Sequence, residues 1–229
     1  MALLLTTFLS AASFLLVMAA GPAGASVRAS ASAPAQEGLV QIEAVTLSPA
    51  EQAEIHKGRI VLRPVPTPGS KGRTFEAVGL ITGTLDEVLG IVTDYRRYPE
   101  FMPRVERTVV TDESDAVSLV EQHLKLPLGV RKRYRLRYTL RRGPEGFRID
   151  WVKVAWPEVP LSQSVVDTSG HWQVTSFGEG RLLAVYRVYT DPGRVPLGMK
   201  GLALSLSKHE IPKVIERVRQ RLRSLAAPR

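Results

Sequence analysis

Cysteine is absent from the 229-residue chain, so disulfides, thiolate metal ligands and a lipid-modified cysteine are all excluded. Acidic residues are the scarcer charge, because 22 Asp and Glu stand against 31 Lys and Arg and give a formal net charge of +9. Without disulfides or thiolate metal sites, the stability of the folded protein must come from its hydrophobic core. The basic charge favours an anionic membrane surface over nucleic acid as a partner, and the alternative is that the excess charge only aids solubility.

Charge is missing altogether from residues 1–25, which contain no Lys, Arg, Asp or Glu. An apolar stretch from Phe8 to Ala20 is followed by Ala23-Gly24-Ala25, an A-x-A cleavage pattern before Ser26. We interpret residues 1–25 as a signal peptide and expect a periplasmic or extracellular protein. An uncleaved membrane anchor is the alternative, although Thr and Ser residues weaken the apolar run as a spanning segment.

Common catalytic and cofactor motifs are also lacking. G-x-S-x-G and glycine-rich nucleotide loops do not occur, and the histidines are not at metal-ligand spacing: His56, His123, His171 and His209. We therefore predict no catalytic residue, no metal and no cofactor. His123 and Asp150 would form an acid/base pair if both faced one cavity, but a structural contact is the preferred interpretation. The sequence thus favours a protein that is not an enzyme, and leaves catalysis open.

The N-terminal part contains a linker and one capped helix. Residues 26–40 are rich in Ser, Ala, Pro and Gly without apolar periodicity, as in a flexible linker. Ser48 and Glu51 form a capping box, and Gly58 provides a left-handed stop. We divide the chain into a signal peptide at 1–25, a linker and N-terminal helical extension at 26–73, and a ligand-binding domain at 74–229.

The domain begins with a strand, TFEAVGLIT, from Thr74. Thr84 and Glu87 then cap a helix whose apolar residues recur at spacings of three and four. The next segment, VTDYRRYPEFMPRV, contains Pro99 and Pro103, which are incompatible with the interior of a long helix. We expect a second short helical turn here.

Six segments with alternating apolar and polar residues follow between residues 104 and 191, separated by turn sequences rich in Gly, Pro and Asp. They predict an antiparallel sheet. The clearest segment runs from 131 to 142, where one face is basic and the other carries aromatic and aliphatic residues. We expect the basic face, Arg131, Arg133, Arg135 and Arg137, to be solvated. A phosphate site would require these arginines to converge.

The C-terminal segment is an amphipathic helix with apolar residues at spacings of three and four: Ile211, Val214, Ile215, Val218, Leu222 and Leu225. Pro212 predicts a kink or a new first turn. The apolar face must be buried, and the sheet is the large surface available. The predicted fold class is α+β, with a curved antiparallel sheet of about seven strands wrapped around a long C-terminal helix and two short helices after the first strand.

Two motifs resemble those of a known superfamily. DYRRYPEFMPRV, with Asp94-Tyr95, Tyr98-Pro99, Phe101 and Pro103, is similar to the segment after the first helix in the START-like (SRPBCC, helix-grip) superfamily, in its polyketide cyclase/dehydrase and coenzyme Q-binding branch. DPGRVPLGMKGLAL, from Asp191, resembles the entry to the last helix there. The resemblance covers roughly residues 74–226 and implies an elongated apolar cavity between the sheet and the last helix.

The resemblance also implies a set of cavity residues. They are Tyr98, Phe101, Met102, Leu126, Leu128, Tyr134, Leu136, Tyr138, Phe147, Trp151, Met199 and Leu202. Plain core packing is the alternative for the aromatic residues and Met102, and the tip Leu126-Pro127-Leu128 is either a membrane-touching gate or a loop over the core. Arg96, Arg97 and Arg104 are expected to face solvent or lipid phosphate.

Three functions fit these features. The first is an exported, monomeric protein that binds and transfers a hydrophobic ligand such as a lipid, a quinone or an isoprenoid. The second is a cyclase/aromatase-like enzyme for a polyketide-type substrate, which the signal peptide disfavours because such substrates are made inside cells. The third is a basic surface-interaction protein without a bound ligand, for which binding would depend steeply on salt.

Overall fold

A computed structural model describes residues 42–193 and 200–227, without the side chains of residue 113 and residues 200–207. The chain divides into two units, Met1–Glu37 and Gly38–Arg229, and all described residues belong to the second. The predicted signal peptide, its cleavage site and the linker at 26–40 lie outside the described residues. Met199 and the side chain of Leu202 lie outside them as well.

Most strands of the described part follow one another along the chain and pair as hairpins, without a long helix between them. The helices are α1 (Pro49–His56), α2 (Leu85–Thr93), α3 (Tyr98–Phe101) and α4 (Lys200–Ala226). The strands are β1 (Val61–Val65), β2 (Arg73–Thr82), β3 (Val105–Glu113), β4 (Val117–Lys125), β5 (Arg131–Gly143), β6 (Gly146–Val154), β7 (Asp167–Ser176) and β8 (Arg181–Asp191). The predicted α+β class is confirmed.

All strands form one antiparallel sheet in the order β1-β2-β8-β7-β6-β5-β4-β3. Strands β3 to β8 pair consecutively, and β8 then pairs with β2, which places the first domain strand next to the last. The sheet has eight strands, one more than predicted, because the extended run at Val61–Val65 pairs with β2. The N-terminal extension therefore contributes a strand to the sheet of the domain.

Both predicted capping boxes are present. The Ser48 hydroxyl accepts from the backbone N–H of Glu51, and the Glu51 carboxylate accepts from the backbone N–H of Ser48 at 2.8 Å. Thr84 and Glu87 make the same reciprocal pair at the start of α2. These bonds satisfy backbone donors that have no partner inside a helix, which is why short helices begin at these positions.

The proline-bounded segment forms a corner between α2 and β3. A 3₁₀ turn at Tyr95–Arg97 leads directly into α3, which has Pro99 in its first turn and ends before Pro103. Inside this corner the Tyr98 hydroxyl donates to the backbone carbonyl of Val92 at 2.5 Å. This buried bond ties α3 back to the end of α2, so the corner has a defined shape.

The long helix α4 packs on the sheet through Ile215 and Val218, both fully buried. Gly79 in β2 permits the close approach, since a Cβ there would lie 3.1 Å from the Arg219 guanidinium and 3.6 Å from Ile215. The sequence predicts a kink or a new first turn at Pro212. The new first turn is wrong, because α4 is one helix from Lys200 to Ala226 with Pro212 inside it.

A second, smaller core lies on the other face of the sheet, under α1. Ile55 of α1 is fully buried there against Val78 and Leu80 of β2 and against Leu183 and Val185 of β8. Strands β2 and β8 are therefore covered on both faces. This explains their nearly continuous apolar sequence in a sheet whose other strands alternate.

Candidate ligand cavity

A cavity of about 260 Å³ lies between the sheet, the corner at α3 and helix α4. Strands β4 to β8 contribute one wall, and the segment from Tyr98 to Val105 faces Glu210, Ile211 and Val214 of α4 across it. The residues around it are Tyr98, Met102, Pro103, Arg104, Val105, Gln122, Leu124, Leu126, Tyr134, Leu136, Tyr138, Trp151, Thr168, Trp172, Tyr186, Val188, Thr190, Glu210, Ile211 and Val214.

Strand alternation places the apolar residues of β5 in this wall. Tyr134, Leu136 and Tyr138 line the cavity, whereas the arginines between them lie on the opposite face. On that outer face Arg131 binds Glu106 at 3.1 Å and Arg135 binds Glu121 at 2.7 Å. The basic stripe is thus an outer, partly ion-paired face, as the sequence predicts.

Aromatic rings form a continuous series along the cavity. Ring centroids are 4.4 Å apart for Tyr95 and Tyr138 and 6.0 Å apart for Tyr138 and Trp151. The series continues at 5.3 Å from Trp151 to Tyr186, which stack, and at 4.9 Å from Tyr186 to Trp172. Rings in contact at these distances stabilise one another beyond the burial of their surface, so this wall is large, apolar and stiff.

Two hydroxyls in the wall have no hydrogen-bond partner among the described residues. They belong to Tyr134 and Tyr186, whereas the Tyr138 hydroxyl accepts from Gln122 Nε2 at 2.8 Å. Thr168 Oγ1 donates to the backbone carbonyl of Tyr189 at 2.8 Å. Since buried polar groups are normally satisfied, the Tyr134 and Tyr186 hydroxyls are available to a bound molecule or to water.

Burial determines the protonation state of these phenols. It raises the pKa of Tyr134 and of Tyr186, and it raises the pKa of Tyr98 and Tyr138 well above the ordinary value. All four hydroxyls therefore keep their protons at neutral pH. A protonated phenol donates one hydrogen bond, so Tyr134 and Tyr186 offer donors to an acceptor such as a carbonyl or hydroxyl oxygen.

An ion pair borders the cavity where the corner meets α4. Arg104 Nη2 lies 2.8 Å from Glu210 Oε1, and Lys213 Nζ lies 3.3 Å from the same oxygen. Burial alone would raise the pKa of Glu210, but hydrogen bonds from Arg104 and Lys213 lower it. Arg104 has φ 62°, a left-handed conformation that is uncommon for a residue with a side chain. The corner therefore holds Arg104 in a specific direction towards α4.

The structure brings seven of the predicted cavity residues to the cavity: Tyr98, Met102, Leu126, Tyr134, Leu136, Tyr138 and Trp151. Phe147 is buried in the core away from the cavity, and Leu128 is 78% exposed. Phe101 is half-buried between Tyr98 and the Arg221 guanidinium, 5.6 Å above its ring. Contact between these residues and a ligand stays a prediction.

The three arginines predicted for a membrane or anion surface differ in their surroundings. Arg96 and Arg97 are exposed, and Arg97 Nε lies 3.6 Å from Glu100 and 3.9 Å from Asp94. Arg104 is exposed but paired with Glu210, as described above. Acidic neighbours therefore offset part of the positive charge at this corner, and its contact with lipid phosphate stays a prediction.

The acid/base pair considered for His123 and Asp150 is wrong as a cavity pair. His123 lies on the outer face beside Trp156, with ring centroids 6.1 Å apart. Asp150 binds Arg141 and Arg148, also away from the cavity. Both side chains make structural contacts, which was the preferred interpretation.

Sequence reasoning missed the part of the cavity formed by β7, β8 and α4. Thr168, Trp172, Tyr186 and Val188 line it, together with Glu210 and its neighbours in α4. The alternation of Tyr186, Val188 and Thr190 in β8 was a usable signal, because all three face the same side as Tyr138.

Among the residues that the structure describes, no three His, Asp or Glu side chains lie close enough together to hold a metal ion. None of the described helices, α4 included, is long and apolar enough to cross a membrane.

This arrangement defines the class of protein: a curved antiparallel sheet and a C-terminal helix around a cavity, as in START-like proteins. Residues 81–219 match the family model described as polyketide cyclase / dehydrase and lipid transport. Since the match spans more than half of the chain, the protein belongs to this family. No curated protein sequence matches significantly.

Solved structures with the same fold have low sequence identity. A STAR-related lipid transfer protein fragment from Xanthomonas axonopodis has a TM-score of 0.61 at 17% identity, over 72% of this chain and 93% of that chain. The Zhui aromatase/cyclase from Streptomyces sp. R1128 has 0.57 at 14%, over 68% and 96%. Human StAR-related lipid transfer protein 5 has 0.63 at 13%, over 74% and 84%. At such identities the likeness shows the fold alone.

Proposed function

We propose that the protein binds a hydrophobic small molecule, such as a lipid, a quinone or an isoprenoid, and carries it in the cavity between the sheet and α4. The observation that carries this proposal is the aromatic and aliphatic cavity with two protonated tyrosine hydroxyls that have no described partner. The apolar wall supports burial of a hydrophobic body, and Tyr134 and Tyr186 support an oxygen-bearing end.

The volume of the cavity limits the size of the ligand that it can hold. The cavity volume of about 260 Å³ is slightly below the range of about 300–1,000 Å³ that is typical of ligand pockets. A compact ring system or part of one chain suits this volume better than two acyl chains. The stacked rings of Trp151 and Tyr186 favour a flat molecule.

Mass spectrometry of the organic extract of the purified protein tests the proposal. We expect a stoichiometric hydrophobic compound, and we expect Val214→Trp, which fills the cavity, to lose it. Val152→Trp on the outer face of β6 is the matched control and should retain it. An empty wild-type protein that also fails to bind quinone, isoprenoid and fatty-acid probes would overturn the proposal.

A cyclase-like enzyme is the second candidate, and the Gln122–Tyr138 hydrogen bond beside two available phenols favours it. Protonated phenols can donate to a substrate carbonyl and stabilise an enolate oxygen. The test is incubation with a poly-β-ketone thioester and product analysis. Conversion that falls in Tyr138→Phe would support the enzyme, and recovery of unchanged substrate would support the carrier.

We also propose that the carrier works outside the cytoplasm after removal of residues 1–25, as a monomer. The apolar run and the A-x-A pattern before Ser26 support export and cleavage. Cell fractionation and intact-mass measurement should find a chain that begins at Ser26. A cytoplasmic chain that retains Met1 would overturn export while leaving the ligand proposal intact.

A further inference from the structure

Two leucines are exposed at the end of the sheet where β4 turns into β5 and where β6 leaves for β7. Leu128 is 78% exposed and Leu161 is 66% exposed. Leu128 has φ 60°, a left-handed conformation that is rare for a residue of its size. The turn therefore presents an apolar side chain to solvent at a conformational cost.

Both leucines belong to the same edge of the sheet. Strand β6 ends at Val154, which pairs with Arg135, so the first residues of β5 have no strand beside them on that side. The turn at Leu161–Gln163 takes this place. Lys132 Nζ donates to the carbonyls of Ser162 at 2.9 Å and Ser164 at 2.8 Å. The turn at Leu128 leads into the start of β5, and the turn at Leu161 is hydrogen-bonded to it through Lys132.

Basic side chains surround these leucines. Lys125 and Arg131 are paired residues at the end of the β4–β5 hairpin, and Arg133 Nη2 binds Gln163 Oε1 at 2.9 Å in the second turn. Arg107 in β3 adds a further cation, opposite His123 of β4. Glu106 is an acidic neighbour, and it is paired with Arg131. The edge therefore combines exposed apolar tips with an excess of positive charge.

This edge is continuous with the wall of the cavity. Leu124 and Leu126, which line the cavity, immediately precede the exposed turn. The backbone N–H of Leu126 donates to the carbonyl of Val130 at 2.8 Å across that turn. A molecule leaving the cavity near Leu126 would reach the surface beside Leu128.

We propose that this docking edge, formed by Leu128, Leu161, Lys125, Arg107 and Arg133, binds an anionic lipid surface. Leu128 and Leu161 enter the headgroup region, and the basic side chains face the lipid phosphates. Charge complementarity and the adjacent cavity wall favour a lipid surface over other partners. The delivery of a ligand through this edge rests on the proposed function, whereas lipid binding itself does not.

Cosedimentation of the full chain with vesicles tests the proposal. We expect binding to vesicles of phosphatidylcholine with phosphatidylglycerol, weaker binding to phosphatidylcholine alone, and a loss of binding as salt rises. Leu128→Asp with Leu161→Asp should weaken binding by at least about tenfold. Lys125→Ala should weaken it by about fivefold, the effect of one basic residue near an anionic surface.

Leu225→Asp is the matched control, because Leu225 is 61% exposed near the end of α4. It should bind vesicles as the unchanged protein does. All variants share the same N-terminal segment, so their differences report on the docking edge. Equal binding by the Leu128/Leu161 variant, or equal loss in the Leu225 variant, would overturn the proposal.

Two other outcomes also decide against a lipid partner. Binding to a soluble polyanion without binding to vesicles would assign the edge to an acidic polymer, and no binding to either would leave it without this role. Ligand extraction is independent of these results. A protein that carries a ligand but ignores vesicles refutes the docking edge alone, and an empty protein that binds vesicles refutes the carrier alone.

Discussion

Gln122 Nε2 donates a hydrogen bond of 2.8 Å to the Tyr138 hydroxyl within the cavity wall. The bond joins neighbouring strands β4 and β5 and satisfies Tyr138 as an acceptor, so its proton remains free to donate. Tyr134 and Tyr186 have no such partner among the described residues. The polar groups of the cavity thus divide into a pair bonded to each other, Gln122 and Tyr138, and two hydroxyls without a protein partner, which are available to a ligand.

Tyr134→Phe and Tyr186→Phe should each weaken binding of an oxygen-bearing ligand by about fivefold, because each removes one hydrogen bond of about 1 kcal/mol. Neither should reduce the free energy of unfolding, since no protein contact is lost. Isothermal titration with a quinone probe and thermal melts measure both. Tyr98→Phe is the contrasting variant, because its hydroxyl binds the Val92 carbonyl, and it should lose about 1 kcal/mol of stability.

Phe101→Ala should reduce stability more than ligand binding. Phe101 packs against Tyr98, with centroids 5.7 Å apart, and under the Arg221 guanidinium, but it does not line the cavity. We expect a loss of about 1–2 kcal/mol in urea unfolding. Unchanged stability with lost ligand affinity would return Phe101 to the cavity entrance.

Glu76→Gln should be strongly destabilising. The Glu76 side chain is 2% exposed and lies between Arg63 and Arg187, each 2.5 Å from one carboxylate oxygen. Removing the Glu76 charge takes an anion away from both arginines and leaves Arg63 with Glu51 as its remaining acidic partner, at a cost of about 3 kcal/mol. The matched control is Glu179→Gln, whose side chain is 83% exposed beside Arg181 and whose loss should not change the melting temperature.

Stability should fall as pH decreases from 6.5. Burial, together with the positive charges of Arg148 and Arg187, lowers the pKa of His171 from 6.5 to about 4. The unfolded chain therefore binds a proton before the folded protein does, so protonation favours unfolding. We expect a loss of about 2 kcal/mol between pH 6.5 and about pH 5. His171→Gln should flatten this dependence, and an equally steep profile in that variant would contradict the assignment.

Gly170→Ala should destabilise the sheet by about 2 kcal/mol, because an added Cβ would overlap the Arg187 carbonyl and the Trp151 indole. It should also disturb the stacking of Trp151 on Tyr186, which tryptophan fluorescence detects. Gly90→Ala is the control, since its Cβ would meet nothing within 4 Å on α2. That variant should raise stability by about 1 kcal/mol in the same unfolding experiment.

Several features of the fold followed directly from the sequence. The alternation in residues 131–142 correctly separated the inward Tyr134, Leu136 and Tyr138 from the outward arginines, because successive side chains of a strand point to opposite faces. Capping boxes located the starts of α1 and α2, since they satisfy backbone donors locally. The motif around Tyr98 and Pro99 indicated the family to which the chain belongs.

Other features depended on the tertiary structure. Alternation predicts the face of a side chain but not which inward residues border the cavity, because the curvature and packing of the sheet decide where space remains. Phe147 and Trp151 share a face in β6, yet Phe147 is in the core and Trp151 lines the cavity. Likewise Leu126 points to the cavity and Leu128 to solvent, because the left-handed backbone at Leu128 reverses the direction of the chain.

The sequence by itself determined the elements, their faces and the family, since these depend on local periodicity, caps and motifs. Only the tertiary structure joined Tyr138 of β5 to Trp151 and Tyr186 and paired Arg104 with Glu210, 106 positions apart. Such contacts depend on strand order and on the position of α4 over the sheet. Local sequence patterns do not encode these long-range distances, so the cavity and its two available hydroxyls emerged only with the fold.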